Sequence, residues 1–206
     1  MEKIYDKNKI ALCIAKSKYQ DVLNTLDVEF CLIQYEKGEL VTSPFQNDLL
    51  FQIIEQGSVN IYFIRDDGTR YSLSRGNTNY FLGDMEIFYP ANNNIYAEAA
   101  ENLTCISFSI DKYKEILLAS NQFLQLICNS LSTKIAAITI IDAAPASLTE
   151  RAMTFMKYRG GGVLKGIEQT AFQLHCSARQ LQRVMNRCET AGLVIKTGKG
   201  TYRLME

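Results

Sequence analysis

The sequence predicts an α+β chain: an antiparallel jelly roll, then a long helix, then a small basic helical module closed by a hairpin. Three observations carry this expectation. From about residue 28 to 110, short β-rich runs alternate with Gly-bearing turns. After Ile110 the apolar period becomes that of a helix. The formal charge is zero overall but divides unevenly: residues 147–206 hold ten Lys/Arg against four Asp/Glu, and residues 1–146 hold twelve against eighteen. An acidic two-thirds joined to a basic final third implies two modules with different partners, the basic one suited to a polyanion.

The β-rich part opens with "EFCLIQY" and "ELVTS", which flank the turn "EKG". "LLFQIIEQGSVNIYFIRDDGTRYSLS" reads as three strands broken at "EQG" and "DDG", and "NIYAEAA" and "LTCISFSI" add a further pair across "EN". Gly-bearing turns between β-rich runs are hairpin signals. Strands this short and this regularly spaced suit a sandwich or jelly roll better than a parallel sheet.

The helical stretch is "DKYKEILLASNQFLQLICNSLSTKIAAITIID". Leu124, Ile127, Leu131, Ile138 and Ile141 fit an a/d seam, with Ile135 beside it and Lys134 interrupting one d position. Such a helix can cap the roll; its length also suits pairing with a second copy in a homodimer. "AAPAS", with Pro145, then forms a small-residue hinge. Ser147 and Glu150 have the spacing of a capping box, and the glycines at 160–162 end the helix that follows. The expected parts are therefore a roll at 1–119, a long helix at 120–143 and a DNA-binding-type module at 144–206.

The last sixty residues carry the sharpest pattern. Ala171 is small where two helices cross closely, and Leu174 precedes the tight turn "HCS". Ser177 is a good N-cap for a second helix whose Leu181, Val184 and Met185 fall on one face. His175 sits where such turns commonly hold a left-handed Gly, a region His tolerates better than bulky residues do. Gly192 follows the helix, and "LVIKTGKGTYRL" reads as a hairpin with a Gly-Lys-Gly tip: the wing of a winged helix-turn-helix. In that geometry the second helix enters a major groove. Arg179, Gln180 and Arg183 are then exposed toward bases, Arg suiting guanine and Gln adenine. Lys196, Lys199, Thr201 and Arg203 on the hairpin suit phosphates. Arg187 lies a turn further on, nearer backbone or solvent. Taken alone, an Arg stripe at this spacing is an ordinary solvated face; the charge split, the cap and the hairpin favour DNA.

Other classes find little support. The six cysteines form no CxxC pair and read as reduced, buried thiols rather than a disulfide framework, zinc site or cluster. No cofactor or metal is expected. The single His lies in the helix turn, and neither "GGG" nor "GKG" is followed by the Lys-Ser/Thr of a phosphate-binding loop, so an enzyme is not expected. No apolar run is long enough to span a membrane, and no convincing signal peptide precedes the chain, which predicts a cytoplasmic protein.

The order of parts resembles the Crp/Fnr family of bacterial transcription regulators. The likeness covers nearly the whole chain and rests on "LFQIIEQGSVNIYFIRDDGTRYSL" for the roll and "AFQLHCSARQLQRVMNRCETAGLV" for the reading head. It implies a cyclic-nucleotide-binding-like β-roll, a dimerisation helix and a winged helix-turn-helix. It also implies a homodimer on a two-fold double-stranded promoter site and RNA polymerase as a further partner; the signal stays open between an unidentified small-molecule effector in the roll, a thiol-redox event and none. Ser177, Arg179 and Arg183 match family positions that touch DNA; Ala178 stands where Arg is frequent. In the family's nucleotide cassette an acidic residue holds the ribose and an Arg neutralises the phosphate. Here Gly83 and Asp84 match the first part, and Asn93 and Asn94 stand in the place of the Arg pair. No Lys or Arg lies between Arg75 and Lys112. Asp84 and Glu86 read as an exposed acidic turn, or as the seat of a cationic or amine ligand. The rival overall reading is a roll that binds a ligand or protein, with a winged helix that contacts proteins.

A phosphate buried in such a cassette lacks its counter-charge. Calorimetry with cyclic AMP is therefore expected to give no heat of binding at micromolar concentrations; a micromolar isotherm would refute this.

Overall fold

The computed structural model describes residues 1–205 except 46–47, 65–67, 69, 90–94, 143–146 and 159; within the long helix the side chains of 138 and 140–142 are also not described. Asn93, Asn94 and the Pro145 hinge fall outside these residues. By contacts the chain forms two compact units: Met1–Arg70 with Ser74–Lys134, and Ile135–Glu206 with Tyr71–Leu73.

The first unit opens with β1 (Glu2–Ile4), α1 (Lys7–Lys16) and α2 (Gln20–Leu23). The strands that follow are β2 (Cys31–Tyr35), β3 (Leu40–Thr42), β4 (Leu50–Gln56), β5 (Val59–Ile64), β6 (Arg70–Gly76), β7 (Phe81–Leu82), β8 (Ile95–Ala99) and β9 (Leu103–Ser109). They build a five-stranded sheet, β1-β2-β9-β4-β7, and a four-stranded sheet, β3-β8-β5-β6. Every pairing whose register is described is antiparallel. The main core lies on the five-stranded sheet: Phe51, Ile53, Phe81, Ile106 and Phe108 are buried there with Ile10, Leu23 and Leu117 from the helices.

The β-rich runs form strands as expected, β1 and β7 arise outside those runs, and three of the four expected hairpins are not hairpins. β2 and β3 flank "EKG" yet belong to different sheets, as do β4 and β5 across "EQG" and β8 and β9 across "EN"; only β5 and β6 are neighbours. These turns are corners at which the chain passes from one sheet to the other. Gly57 shows why one corner holds glycine. Its φ is +91°, and a Cβ there would lie 2.4 Å from the Asn102 carbonyl oxygen, so the "EQG" corner packs directly on the "EN" corner.

α3 (Ile110–Ala119) and α4 (Asn121–Asp142) follow. They break at Ser120, whose backbone is extended and whose hydroxyl accepts from the Phe123 N–H at 3.3 Å. The expected seam is corrected here. Ile127, placed at a d position, is fully buried in the roll core together with Phe123. Leu131 is half-buried against that core, and Leu124 is half-buried. Ile138 has no described side chain. The exposed residues at the d level are one place further along: Cys128, and Ile135 at 64% exposure. Phe123, Ile127, Ser130 and Lys134 recur at the 4, 3, 4 spacing of a single helix face. That face belongs to the roll, so the outer stripe is Leu124, Cys128, Leu131 and Ile135. Both stripes carry apolar residues, and periodicity alone does not say which of them meets the roll.

The second unit holds α5 (Leu148–Tyr158), β10 (Val163–Lys165), α6 (Ile167–Gln173), α7 (Ala178–Thr190), β11 (Val194–Gly198) and β12 (Thr201–Leu204). Its sheet runs β10-β12-β11. Its own core contains Ala152, Met156, Leu164, Ala171, Leu181, Val184, Met185 and Tyr202. The Ser147 capping box is formed: its hydroxyl accepts from the Glu150 N–H at 3.2 Å, and its own N–H donates to the Glu150 carboxylate at 3.3 Å. Among the described residues no helix is long and apolar enough to cross a membrane.

Candidate functional site

α7 is positioned from beneath. Leu181, Val184, Met185 and Cys188 bury one stripe of it, and Ala171 of α6 is buried in the same core. His175, in the turn between α6 and α7, has φ +52°, the left-handed conformation expected at that place. Ser177 is the N-cap, and its hydroxyl accepts from the Gln180 N–H at 3.2 Å.

The opposite stripe is open. Ser177, Arg179, Gln180, Arg183 and Arg187 are all exposed. Arg179 and Arg183 stand four residues apart within the first two turns, so their side chains share a face. Gln180 has a further duty. Its side-chain oxygen accepts from the Ser177 N–H at 2.9 Å and the Ser177 hydroxyl at 3.0 Å, completing a capping box. A bidentate contact to adenine needs that oxygen free, so in this conformation Gln180 shapes the helix start rather than presenting both ends of its amide.

The wing is tied to α7 by a network that the sequence pattern does not reveal. The Gln182 amide donates to the Asn186 side-chain oxygen at 2.7 Å and to the Tyr202 hydroxyl at 2.6 Å, and that hydroxyl donates to Asn186 at 3.2 Å. Register then sorts the basic residues of the sheet. Lys196 lies opposite Tyr202, on the face that packs against the helices; Arg203 lies opposite Ile195 and Val163, on the other face. Lys199 follows Gly198 at the tip. Lys165 pairs with Thr201 and is exposed, a wing-strand cation that the reading of the hairpin alone missed. The hairpin cations therefore do not form one surface, and Arg203 is turned away from the α7 side.

In the roll, Gly83 has φ +86°, and a Cβ would meet the Leu50 carbonyl oxygen at 2.2 Å; only glycine lets this turn press against β4. Asp84 corrects the expectation of an exposed acidic turn: it is 3% exposed. Its partner is Lys134 of α4, the residue that interrupts the expected seam. The ammonium donates to both Asp84 carboxylate oxygens at 2.7 Å and to the Phe81 carbonyl at 2.8 Å, and lies 4.3 Å from the centre of the Tyr80 ring. The Ser130 hydroxyl donates to the same carboxylate at 2.8 Å. Burial pulls the Lys134 pKa down and the Asp84 charge opposes that pull. Burial, with Asp84 beside it, raises the Glu86 carboxyl above its ordinary range.

The thiols are divided: Cys31, Cys105 and Cys188 are buried, Cys13 and Cys176 half-buried, and Cys128 exposed, contrary to a uniformly buried set. Burial raises the Cys13, Cys31 and Cys176 pKa values, which keeps those thiols protonated. Among the described residues no group of His, Cys, Asp and Glu could hold a metal ion. A cavity of about 990 Å³ opens beside α1 and α2, floored by Ile10, Ile14, Leu23 and Phe108; its lining does not include Asp84.

No protein-family model matches the chain, and no curated protein does. Solved structures do. A mutant of CooA from Carboxydothermus hydrogenoformans is similar over 94% of this chain and 89% of its own, at 17% identity and a TM-score of 0.73. CLP, a c-di-GMP-responsive global regulator from Xanthomonas campestris, is similar over 85% and 93%, at 18% identity and a TM-score of 0.69. A CRP/FNR-family transcriptional regulator from Thermus thermophilus covers 85% and 93%, at 13% identity and a TM-score of 0.63. The chain therefore has the fold of Crp/Fnr-type regulators: a cyclic-nucleotide-binding-like β-roll followed by a winged helix-turn-helix.

Removal of the α7 cap tests the local architecture. Ser177→Ala leaves the Gln180 N–H without its acceptor and is expected to lower stability by about 1 kcal/mol in urea unfolding. A change near zero would mean that the box does not hold the helix start.

Proposed function

We propose that this chain is a homodimeric, sequence-specific DNA-binding transcription regulator, acting in the cytoplasm, and not an enzyme. The observation that carries the reading is the arginine pair at the start of α7. Arg179 and Arg183 project from the first two turns of a helix whose other face is locked in a core, and among the described residues neither forms an ion pair within the second unit. The net positive charge of residues 147–206 and the fold shared with transcription regulators support the same reading. In it, Arg179 and Arg183 reach base edges or adjacent phosphates, and Ser177 reaches the backbone. Lys196 and Lys199 supply sequence-independent phosphate contacts, while Lys165 shares the Arg203 face of the sheet and lies outside that surface. Gln180 joins base readout only by giving up its cap, and Arg203 lies outside the surface.

The homodimer reading rests on the outer stripe of α4. Leu124, Cys128, Leu131 and Ile135 follow the 4, 3, 4 spacing of a coiled-coil seam. Asp84 is committed to Lys134, so an effector that needs this carboxylate for a ribose hydroxyl is not part of the proposal.

Two measurements test this reading. With a duplex selected from a random pool by the wild-type protein, the Arg179→Ala, Arg183→Ala double variant should bind roughly a hundredfold or more weakly, as expected for two Arg contacts. Wild-type affinity should also fall steeply as salt rises. Unchanged binding would remove α7 as the reading face, and wild-type protein that enriches no duplex would favour a winged helix that contacts proteins. Separately, Ile135→Glu should shift the protein from dimer to monomer in light scattering; a persistent dimer would place the interface elsewhere.

A further inference from the structure

The turn after β7 encloses a primary ammonium, that of Lys134 in the same chain. An alkylammonium has three N–H donors. Lys134 finds three acceptors: the two Asp84 carboxylate oxygens and the Phe81 carbonyl. The Tyr80 ring offers its face at 4.3 Å, the cation–π contact that selects cations over neutral isosteres. Asp84 accepts a further bond from Ser130. The two side chains are only 19% and 4% exposed, so the site is built rather than a surface encounter.

We propose that the Asp84 turn is an alkylammonium-binding site whose resident ligand is Lys134 itself, and that this internal ligand, rather than a diffusible effector, docks α4 on the roll. The placement along α4 supports it. Phe123 and Ile127 are buried in the roll core, and one and two turns further on the same face presents Ser130 and Lys134 to Asp84. Apolar docking thus sets the helix register that delivers the ammonium. A tethered ligand also has an effective concentration of order mM or higher, so free amines at lower concentration do not displace it. The proposal stands independently of the DNA reading, because its tests use no DNA.

Lys134→Ala removes the side chain beyond Cβ, and propylammonium supplies the missing three carbons and nitrogen. The variant should unfold roughly 5 °C lower than wild type, because a buried carboxylate loses its partner. About 50 mM propylammonium should recover at least half of that loss, as a ligand that binds only the folded state. Propanol should recover none, and neither should propylammonium added to the Asp84→Asn, Lys134→Ala double variant. Rescue equal in the double variant, or no greater than with propanol, overturns the proposal. A second measurement needs no weakened protein. In wild type the Lys134 ammonium should give a resolved 15N–1H signal protected from water exchange, assigned by its loss in Lys134→Gln. A Lys134 ammonium that exchanges as fast as the exposed lysines would overturn the proposal equally.

Discussion

The first unit depends on the packing around Phe51. Its ring stacks on Phe108 of β9 at 5.0 Å and meets Phe81 of β7 and Phe123 of α4, each at 5.3 Å. Four elements far apart in sequence are thereby fixed to one another. The consequence reaches beyond the core. Phe81 begins the short segment that contains Gly83 and Asp84, and Phe123 begins the helix face that ends at Lys134. When the four rings pack, a carboxylate and an ammonium are delivered to the same place.

The ion pair that results is a poor source of net stability. Taking each charge out of water costs several kcal/mol, and the pair's mutual attraction and hydrogen bonds roughly offset that penalty. Its physical effect is selectivity among arrangements. Rotation of α4 by one residue turns it about 100° and would leave Asp84 and Lys134 buried apart, an arrangement far more costly than the native one. The apolar residues Phe123 and Ile127 set which face of the helix meets the roll; the ion pair makes every other register more costly. That choice also decides what remains outside, the stripe through Cys128 and Ile135.

The second unit solves a different problem with its own core. Helix α7 has one face held rigid and the other left free. Here the rigid face is apolar, the helix start is closed by the Ser177–Gln180 box, and the wing is joined to the helix through Tyr202, Gln182 and Asn186. The free face keeps its arginines. Most of this was legible in the sequence, because an N-cap, a small crossing residue and an amphipathic stripe are local signals. Gln182 and Asn186 gave no such signal: polar residues on an exposed helix are unremarkable until a buried tyrosine hydroxyl arrives from strand β12.

Apart from β1, α1, α2, β7 and β10, the sequence by itself determined the strands of the β-rich runs, the long helix, the Ser147 and Ser177 caps, the basic face of α7 and the break in the α4 seam at Lys134. All of these depend on residues close together in the chain, where backbone preference and periodicity act. Only the tertiary structure decided what each element faces. The "EKG", "EQG" and "EN" turns have the residues of hairpins and serve as corners, because strand partners are chosen by the burial of both sheets. Asp84 reads as an exposed acid until α4 brings Lys134, fifty residues further on, against it. Ile127 reads as a dimer contact until the roll buries it. In each case the local pattern fixed which residues are apolar or charged, and long-range packing fixed the partner that satisfies them.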